Sequence, residues 1–146
     1  MPLTIEEIRK RIPLRYPYLM VDRVVEFGTE RVIALKNVTI DEPVFQGHFP
    51  EPLPAVMPGT LILEAMAQTA AFLLADVGEQ RAGYLVGVER AKFRRMVRPG
   101  DQLRLEAHPL RRKRGLIKAE VRATVEGELA AEAVVSLMLP EGEDVG

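Results

Sequence analysis

The sequence predicts an α+β fold in which one antiparallel β-sheet wraps around a single long central helix. The stretch from Val56 to Gly78 contains a single helix that is apolar on almost every side, so it must be buried. Pro58 and Gly59 mark the start of this helix, and Gly78 marks its end. Segments with strand character lie on both sides of this stretch, and short turns separate most of them. Such connections favour antiparallel pairing within one sheet.

A short helix is expected at the start of the chain. Thr4 and Glu7 form a capping-box pattern, in which each side chain binds the backbone N–H of the other residue. The helix should therefore run from Ile5 to about Arg11, and Pro13 should end it.

Several segments have the composition of strands, because they are rich in Val and Leu or alternate between apolar and polar residues. They comprise residues 19–27, 31–39, 83–89, 101–110, 115–124 and 129–139. The alternation is clearest where Leu103, Leu105 and Ala107 face one side of their strand.

A long loop, residues 41–57, separates the second strand from the central helix. It is rich in proline and contains the sequence Gly47-His48-Phe49-Pro50. A long irregular segment inside a compact domain is usually functional. A lone loop histidine is most often a surface residue, so the function of His48 depends on the motif around it.

Composition limits the function. The 146 residues are expected to form one domain, residues 1–146, and the net charge of −1 argues against general binding to nucleic acid or to acidic membranes. The lack of cysteine excludes a disulfide scaffold and a thiolate metal site. The first residues show no signal-peptide pattern, so a cytoplasmic location is expected.

Polar residues interrupt the central helix on one face. Thr60, Glu64 and Gln68 are four residues apart, and Phe72 lies one turn further along the same line. Burying an unpaired carboxylate is costly, so Glu64 is paired in a structural network, directed into a cavity, or used for chemistry. Gln68 is a neutral amide and is expected to order Glu64 or the loop.

The central helix also predicts self-association. One sheet has a single concave face and cannot cover a helix that is apolar all round. Two copies of the chain are therefore expected to join, and the monomer should not be stable alone.

The motifs resemble those of the 3-hydroxyacyl-(acyl-carrier-protein) dehydratases of bacterial fatty-acid synthesis. They are Gly47–Pro50, Val56–Gly59 and Leu63–Gln68, with Pro13–Pro17, Asn37–Thr39 and Pro99–Asp101 in the same order. The resemblance covers about Ile12 to about Leu139 and implies the hot-dog fold, with no metal or organic cofactor. Two features depart from the family pattern: Leu14 replaces a usual histidine, and the spacer Glu51–Ala55 is longer than usual.

Dehydration of a 3-hydroxyacyl thioester needs a base, an acid and a donor to the enolate-like oxygen. His48 is the expected base, because imidazole titrates near neutral pH. Glu64 is the expected acid, since burial favours a protonated carboxyl group that can donate to the departing hydroxyl. The backbone N–H of Gly59, at the start of the helix, is the expected donor to the thioester carbonyl.

The resemblance implies that His48 and Glu64 of one site come from opposite subunits, and that the dimers assemble further, typically as a trimer of dimers. It also places Tyr84 near the mouth of an acyl tunnel, although a core position for Tyr84 is nearly as consistent with the sequence. The residues expected to contact substrate are Gly59, Gln68, Tyr84 and Phe49.

Two segments are strongly basic, residues 90–98 and residues 111–114. Solvated charge is the usual explanation for such runs. Acyl carrier protein is acidic, however, so Arg94, Arg95 and Arg98 are expected to form its docking surface. No aromatic or recognition-helix pattern accompanies these residues, which disfavours nucleic acid as a partner.

Two other functions fit parts of the pattern. A hot-dog acyl-CoA thioesterase or hydratase would need a carboxylate acting on water at the thioester carbonyl. A non-catalytic acyl-binding regulator would keep the tunnel without needing both His48 and Glu64. The sequence keeps both residues, which favours the dehydratase.

Overall fold

Six antiparallel strands and two α-helices form the part of the chain that the computed structural model describes, residues 1–74 and 83–139. The elements in chain order are α1 (Ile5–Arg11), β1 (Arg23–Phe27), β2 (Val32–Asn37), a 3-10 turn (Pro43–Gln46), α2 (Gly59–Ala71), β3 (Tyr84–Phe93), β4 (Gln102–Lys113), β5 (Leu116–Val125) and β6 (Glu128–Met138).

The strands form one sheet in the order β1-β2-β4-β5-β6-β3. Every neighbouring pair is antiparallel. The connection through the loop and α2 takes the chain away from β2 and returns it to the far edge, where β3 pairs with β6. The helix α2 contacts β2 to β6, so the sheet wraps around it. The predicted α+β hot-dog arrangement is confirmed.

The core lies between α2 and the concave face of the sheet. Ala65, Met66 and Ala70 of the helix are fully buried. They lie in one hydrophobic cluster with Leu103 and Leu105, which are also inaccessible to solvent. The alternation predicted for the strand that contains these leucines is therefore correct, because its apolar side faces the helix.

The central helix begins where the sequence predicted, at Gly59 with Pro58 before it, but it ends earlier than predicted. The residues before Pro58 bond elsewhere, since the backbone N–H of Met57 donates to the carbonyl of Val97 at 2.7 Å. Proline also disfavours helical backbone in the residue before it. The helix ends at Ala71 and is followed by a turn; the predicted end at Gly78 lies outside the described residues.

Two other elements test the sequence predictions. The capping box of α1 is present: the backbone N–H of Thr4 donates to the Glu7 carboxylate at 2.8 Å, and the backbone N–H of Glu7 donates to the Thr4 hydroxyl at 3.4 Å. The strand β3 continues past the predicted end at Glu89, because a bulge with Arg90 at φ 53° allows pairing with β6 to resume at Lys92.

In the described part of the chain, neither α1 nor α2 has the length and hydropathy needed to span a bilayer.

Candidate active site

His48 follows the 3-10 turn, and the main chain fixes its ring. Its backbone N–H donates to the carbonyl of Val44 at 3.1 Å. Its Nδ1 lies 2.7 Å from the carbonyl oxygen of Val56. A carbonyl only accepts, so Nδ1 carries the hydrogen and the neutral ring keeps its lone pair on Nε2. The ring stacks on Phe49 with 4.3 Å between centroids.

Glu64 is held by Gln68, one turn further along α2. Gln68 is 3% exposed, and its Nε2 donates to Glu64 Oε2 at 2.8 Å and to the carbonyl of Tyr18 at 2.6 Å. Its Oε1 accepts from the backbone N–H of Met20 at 2.8 Å. These backbone groups fix which end of the amide faces Glu64, so Oε2 must accept. An acid proton on Glu64 therefore belongs on Oε1.

The predicted polar face of α2 changes in exposure along its length. Thr60 is exposed, Glu64 is half-buried, and Gln68 and Phe72 are buried. Glu64 therefore stands at the boundary between the core and the surface, where a carboxyl group supported by Gln68 can still meet a ligand.

Gly59 begins α2 and lies beside a pocket of about 420 Å³. The pocket is lined by Val56, Met57, Gly59, Ile62 and residues 93–97, and contains neither His48 nor Glu64. A Cβ atom on Gly59 would lie 3.1 to 3.3 Å from the ring of Phe93. Glycine at this position therefore allows the close approach of the Phe93 ring.

Tyr84 is at the opposite end of β3 from Phe93. It is the first residue of this ten-residue strand, pairs with Met138 and is 58% exposed. The two ends are roughly 30 Å apart for an extended strand. Within one chain, the structure therefore does not bring Tyr84 to the pocket beside Gly59, and its exposure argues against the alternative core position.

The basic residues are already engaged by their own chain. Arg94 pairs with Glu132 at 2.6 Å and Arg95 pairs with Glu128 at 3.0 Å. The Nε of Arg98 donates to the carbonyl of Ala55 at 3.3 Å. In the second segment, Arg112 donates to the carbonyls of Leu73 and Thr29, so it fastens the end of α2 to the turn between β1 and β2.

The sequence did not identify some groups that shape the site. They are the carbonyl groups of Val56 and Tyr18, the N–H of Met20 and the ring of Phe93. The first three are backbone groups, which no residue type reveals. Val56 was noted only as part of a motif, and Phe93 lies in a segment that was noted only for its basic residues. Among the described residues, no three potential metal-ligating side chains are grouped so as to hold a metal ion.

Comparison with known proteins gives the class first. Residues 12–134 match the model of the FabA-like domain family. This range covers most of the chain, so the protein belongs to the FabA-like family.

Individual proteins that are similar over nearly the whole chain indicate which type of FabA-like protein this is. The 3-hydroxyacyl-(acyl-carrier-protein) dehydratase FabZ of Thermus thermophilus is 53% identical over 140 residues, covering 94% of this chain and 97% of that protein. The FabZ of Deinococcus radiodurans is 50% identical over 143 residues and 97% of both chains. The predicted resemblance to FabZ-type dehydratases is confirmed.

A solved structure with the same fold is much less similar in sequence. One chain of the dehydratase heterocomplex ApeI:P from Xenorhabdus doucetiae superposes with a TM-score of 0.78 at 17% identity, covering 93% of this chain and 92% of that one. At this identity the match supports the fold alone.

Proposed function

We propose that this protein dehydrates (3R)-hydroxyacyl-(acyl-carrier-protein) to the trans-2-enoyl thioester in type II fatty-acid synthesis. Such an enzyme is a hydro-lyase. The main support is the geometry of His48, whose Nδ1–H is bound to Val56 so that Nε2 is available as a base. FabZ dehydratases that are about half identical over nearly the whole chain support the same reaction.

In the proposed first step, Nε2 of His48 takes a proton from C2 of the substrate. The electron pair of that C–H bond moves toward the thioester carbonyl, whose oxygen accepts a hydrogen bond from the N–H of Gly59. The start of α2 contributes a favourable dipole, and removal of one oxyanion donor typically costs about 3 kcal/mol of barrier in other enzymes.

In the second step, the electron pair forms the C2–C3 double bond and the C3–O bond breaks. Oε1 of Glu64 gives its proton to the departing hydroxyl, which leaves as water. His48 is then protonated and Glu64 is ionised, and proton exchange with solvent restores both. Gln68 assists by keeping Oε2 as an acceptor throughout.

We propose that the site is completed by a second copy of the chain. The pocket beside Gly59 has neither His48 nor Glu64 in its lining. The edge strand β3 exposes Leu85, Val86 and Val88, a surface that a partner's strand would cover. Antiparallel pairing of two β3 strands would also carry Tyr84 of one copy toward the pocket of the other. Further assembly to a hexamer, and the cytoplasmic location, stay predictions from the sequence.

Docking of the carrier protein on Arg94, Arg95 and Arg98 is part of the proposal. The ion pairs of Arg94 and Arg95 are accessible to solvent, and surface pairs of this kind contribute at most about 1 kcal/mol, whereas Arg98 donates to a backbone carbonyl. An acidic partner can therefore replace the intramolecular carboxylates. Arg94→Glu with Arg95→Glu should raise KM much more for the carrier-bound substrate than for a pantetheine thioester; equal loss on both would contradict docking.

The reaction is tested by adding 3-hydroxyacyl carrier protein to the purified protein and following the enoyl thioester absorbance. His48→Gln and Glu64→Gln should each abolish the signal. Release of free acid would instead identify a thioesterase, and binding without turnover an acyl-binding regulator.

The shared site is tested by complementation. His48→Ala and Glu64→Ala proteins, inactive alone, should regain part of the activity when subunits exchange, because one of the mixed sites becomes intact. Absence of recovery after exchange has been demonstrated would rule out a site built from two copies.

A further inference from the structure

An ion pair between a buried lysine and a partly buried glutamate lies at the base of the loop that carries His48. Lys36 on β2 is 7% exposed, and its Nζ is 2.8 Å from Oε1 of Glu42. The other carboxylate oxygen of Glu42 accepts from the backbone N–H of Thr39 at 2.9 Å. Burying an ion pair costs desolvation and is weak evidence for stability, so a positional role has to be considered.

Glu42 connects this pair to His48 through a few main-chain bonds. It precedes the 3-10 turn, and its carbonyl accepts from the N–H of Phe45 at 3.1 Å. Phe45 is buried in the core, which anchors the turn. The next bond places the catalytic candidate, since the carbonyl of Val44 accepts from the N–H of His48.

The other end of the loop is fixed independently. Met57 bonds to Val97 at 2.7 Å, and Arg98 donates to the carbonyl of Ala55. Between them lies Val56, whose carbonyl holds the His48 ring. A shift of the Glu42 end would therefore move the ring relative to an acceptor that does not move with it.

We propose that Lys36 and Glu42 are positioning residues for His48. Their ion pair sets the distance between Nδ1 and the Val56 carbonyl, and thereby keeps Nε2 as the unprotonated nitrogen. This inference rests on the proposed role of His48 as the base, but the ring geometry can be measured without the reaction.

The kinetic test uses Lys36→Met, Glu42→Gln and the double variant. The double variant leaves no buried charge without its partner, so it should fold even where a single variant does not. In the folded variants kcat should fall roughly 10- to 100-fold while KM changes less than about twofold, as expected for a misplaced catalytic group. Lys36→Arg keeps the cation and should recover part of kcat.

The matched control is Glu26→Gln with Arg31→Met. This pair also joins two oppositely charged side chains at 2.8 Å, but it is exposed and lies at the turn between β1 and β2. Its loss should leave kcat unchanged. Wild-type kcat in the folded Lys36/Glu42 double variant would overturn the proposal.

The structural readout is side-chain ¹⁵N NMR of the imidazoles. The chain has only two histidines, so His108→Gln assigns the signals. Wild-type His48 should show a single Nδ1–H tautomer, and the double variant should show a mixture. An unchanged tautomer would refute the inference even if kcat falls. A wild-type protein without dehydratase activity but with this tautomer change would instead refute the proposed reaction alone.

Discussion

The amide of Gln68 has a defined orientation because the main chain sets both of its ends. The N–H of Met20 requires an oxygen opposite it, and the carbonyl of Tyr18 requires a nitrogen. The Gln68 side chain therefore holds Glu64 at a fixed position relative to the backbone of Tyr18 and Met20. Glutamate would not substitute, since a carboxylate there would face both a carbonyl and another carboxylate.

Gln68→Leu should accordingly lower kcat by roughly 10- to 100-fold through misplacement of Glu64. It also leaves the buried N–H of Met20 and the partly buried carbonyl of Tyr18 without this partner, for an expected loss of about 1–3 kcal/mol in the free energy of unfolding. Steady-state kinetics and urea unfolding measure the two effects.

Thr69→Val is the control for Gln68→Leu. Thr69 is the next residue and equally buried, and its hydroxyl bonds only the helix carbonyl of Ala65 among the contacts described. Its kcat should match that of the wild type. A similar fall in both variants would mean that disturbance of α2, not loss of the Glu64 contact, lowers activity.

At this scale the sequence suggested candidate side chains and one contact between them, since Gln68 was expected to order Glu64 and donates to it. It did not suggest the backbone groups that bind them. His48 and Glu64 could be selected because their chemistry is visible in the residue type and in the motifs. The carbonyl of Val56 could not, since every residue has one and only the fold decides which carbonyl meets the ring.

Among the elements, α1 shows how local pattern determines structure. The N–H of Thr4 holds the pKa of Glu7 below the ordinary value of 4.5. A lowered pKa means that the folded state favours the ionised carboxylate. The stabilisation is therefore present above about pH 4.5 and is lost as pH falls through the folded-state pKa.

Glu7→Gln should therefore remove part of the acid dependence of stability. The difference in unfolding free energy between wild type and variant should be largest near neutral pH and should shrink toward about pH 3. Glu6→Gln, in the same first turn but outside the capping box, is the control. A constant difference across this range would contradict the capping role of the ionised form.

The end of α2 is fastened by a contact that the sequence did not suggest. Arg112 was predicted as one of a run of basic surface residues, but its guanidinium bridges the carbonyls of Leu73 and Thr29.

Arg112→Met should lower the unfolding free energy by about 1–3 kcal/mol. Arg112→Lys should recover only part of this loss, because an ammonium group lacks the planar fork that serves both acceptors. The neighbouring Arg111→Met variant, which alters an exposed side chain, should change stability little in the same thermal or urea unfolding experiment.

Element boundaries were predictable where local patterns decide them and not where tertiary contacts do. The capping box placed the start of α1 correctly. Pro58 and Gly59 likewise marked the start of α2 correctly, whereas the apolar pattern continues past Ala71, where the helix ends. The strand β3, in contrast, continues past its predicted end at Glu89 through the bulge at Arg90, and no local sequence pattern indicates this bulge.

For the whole molecule, the sequence predicted that a single chain would be incomplete, since one sheet cannot enclose an apolar helix. Self-association stays a proposal, and its support in the structure is the edge strand β3, where apolar side chains are exposed. That residues 1–146 form a single domain stays a prediction, as part of the chain lies outside the described residues.

Val88→Lys should weaken self-association, because it introduces a charge into the proposed contact between β3 strands. Sedimentation should show a shift to monomer, and activity should fall in parallel. The control is Val25→Lys on β1, the opposite edge strand, since Val25 and Val88 are 39% and 40% exposed. If both variants associate like the wild type, β3 is not the contact.

The two edges of the sheet differ in one further respect. Leu3 exchanges backbone hydrogen bonds with Val24 at 2.8 and 3.3 Å, so the first residues of the chain already occupy part of the β1 side. Among the described residues, no strand pairs with the outer side of the ten-residue strand β3. The proposed contact between two β3 strands would use the free side of each, so strand addition through β3 would stop at a pair and would not continue into a fibre.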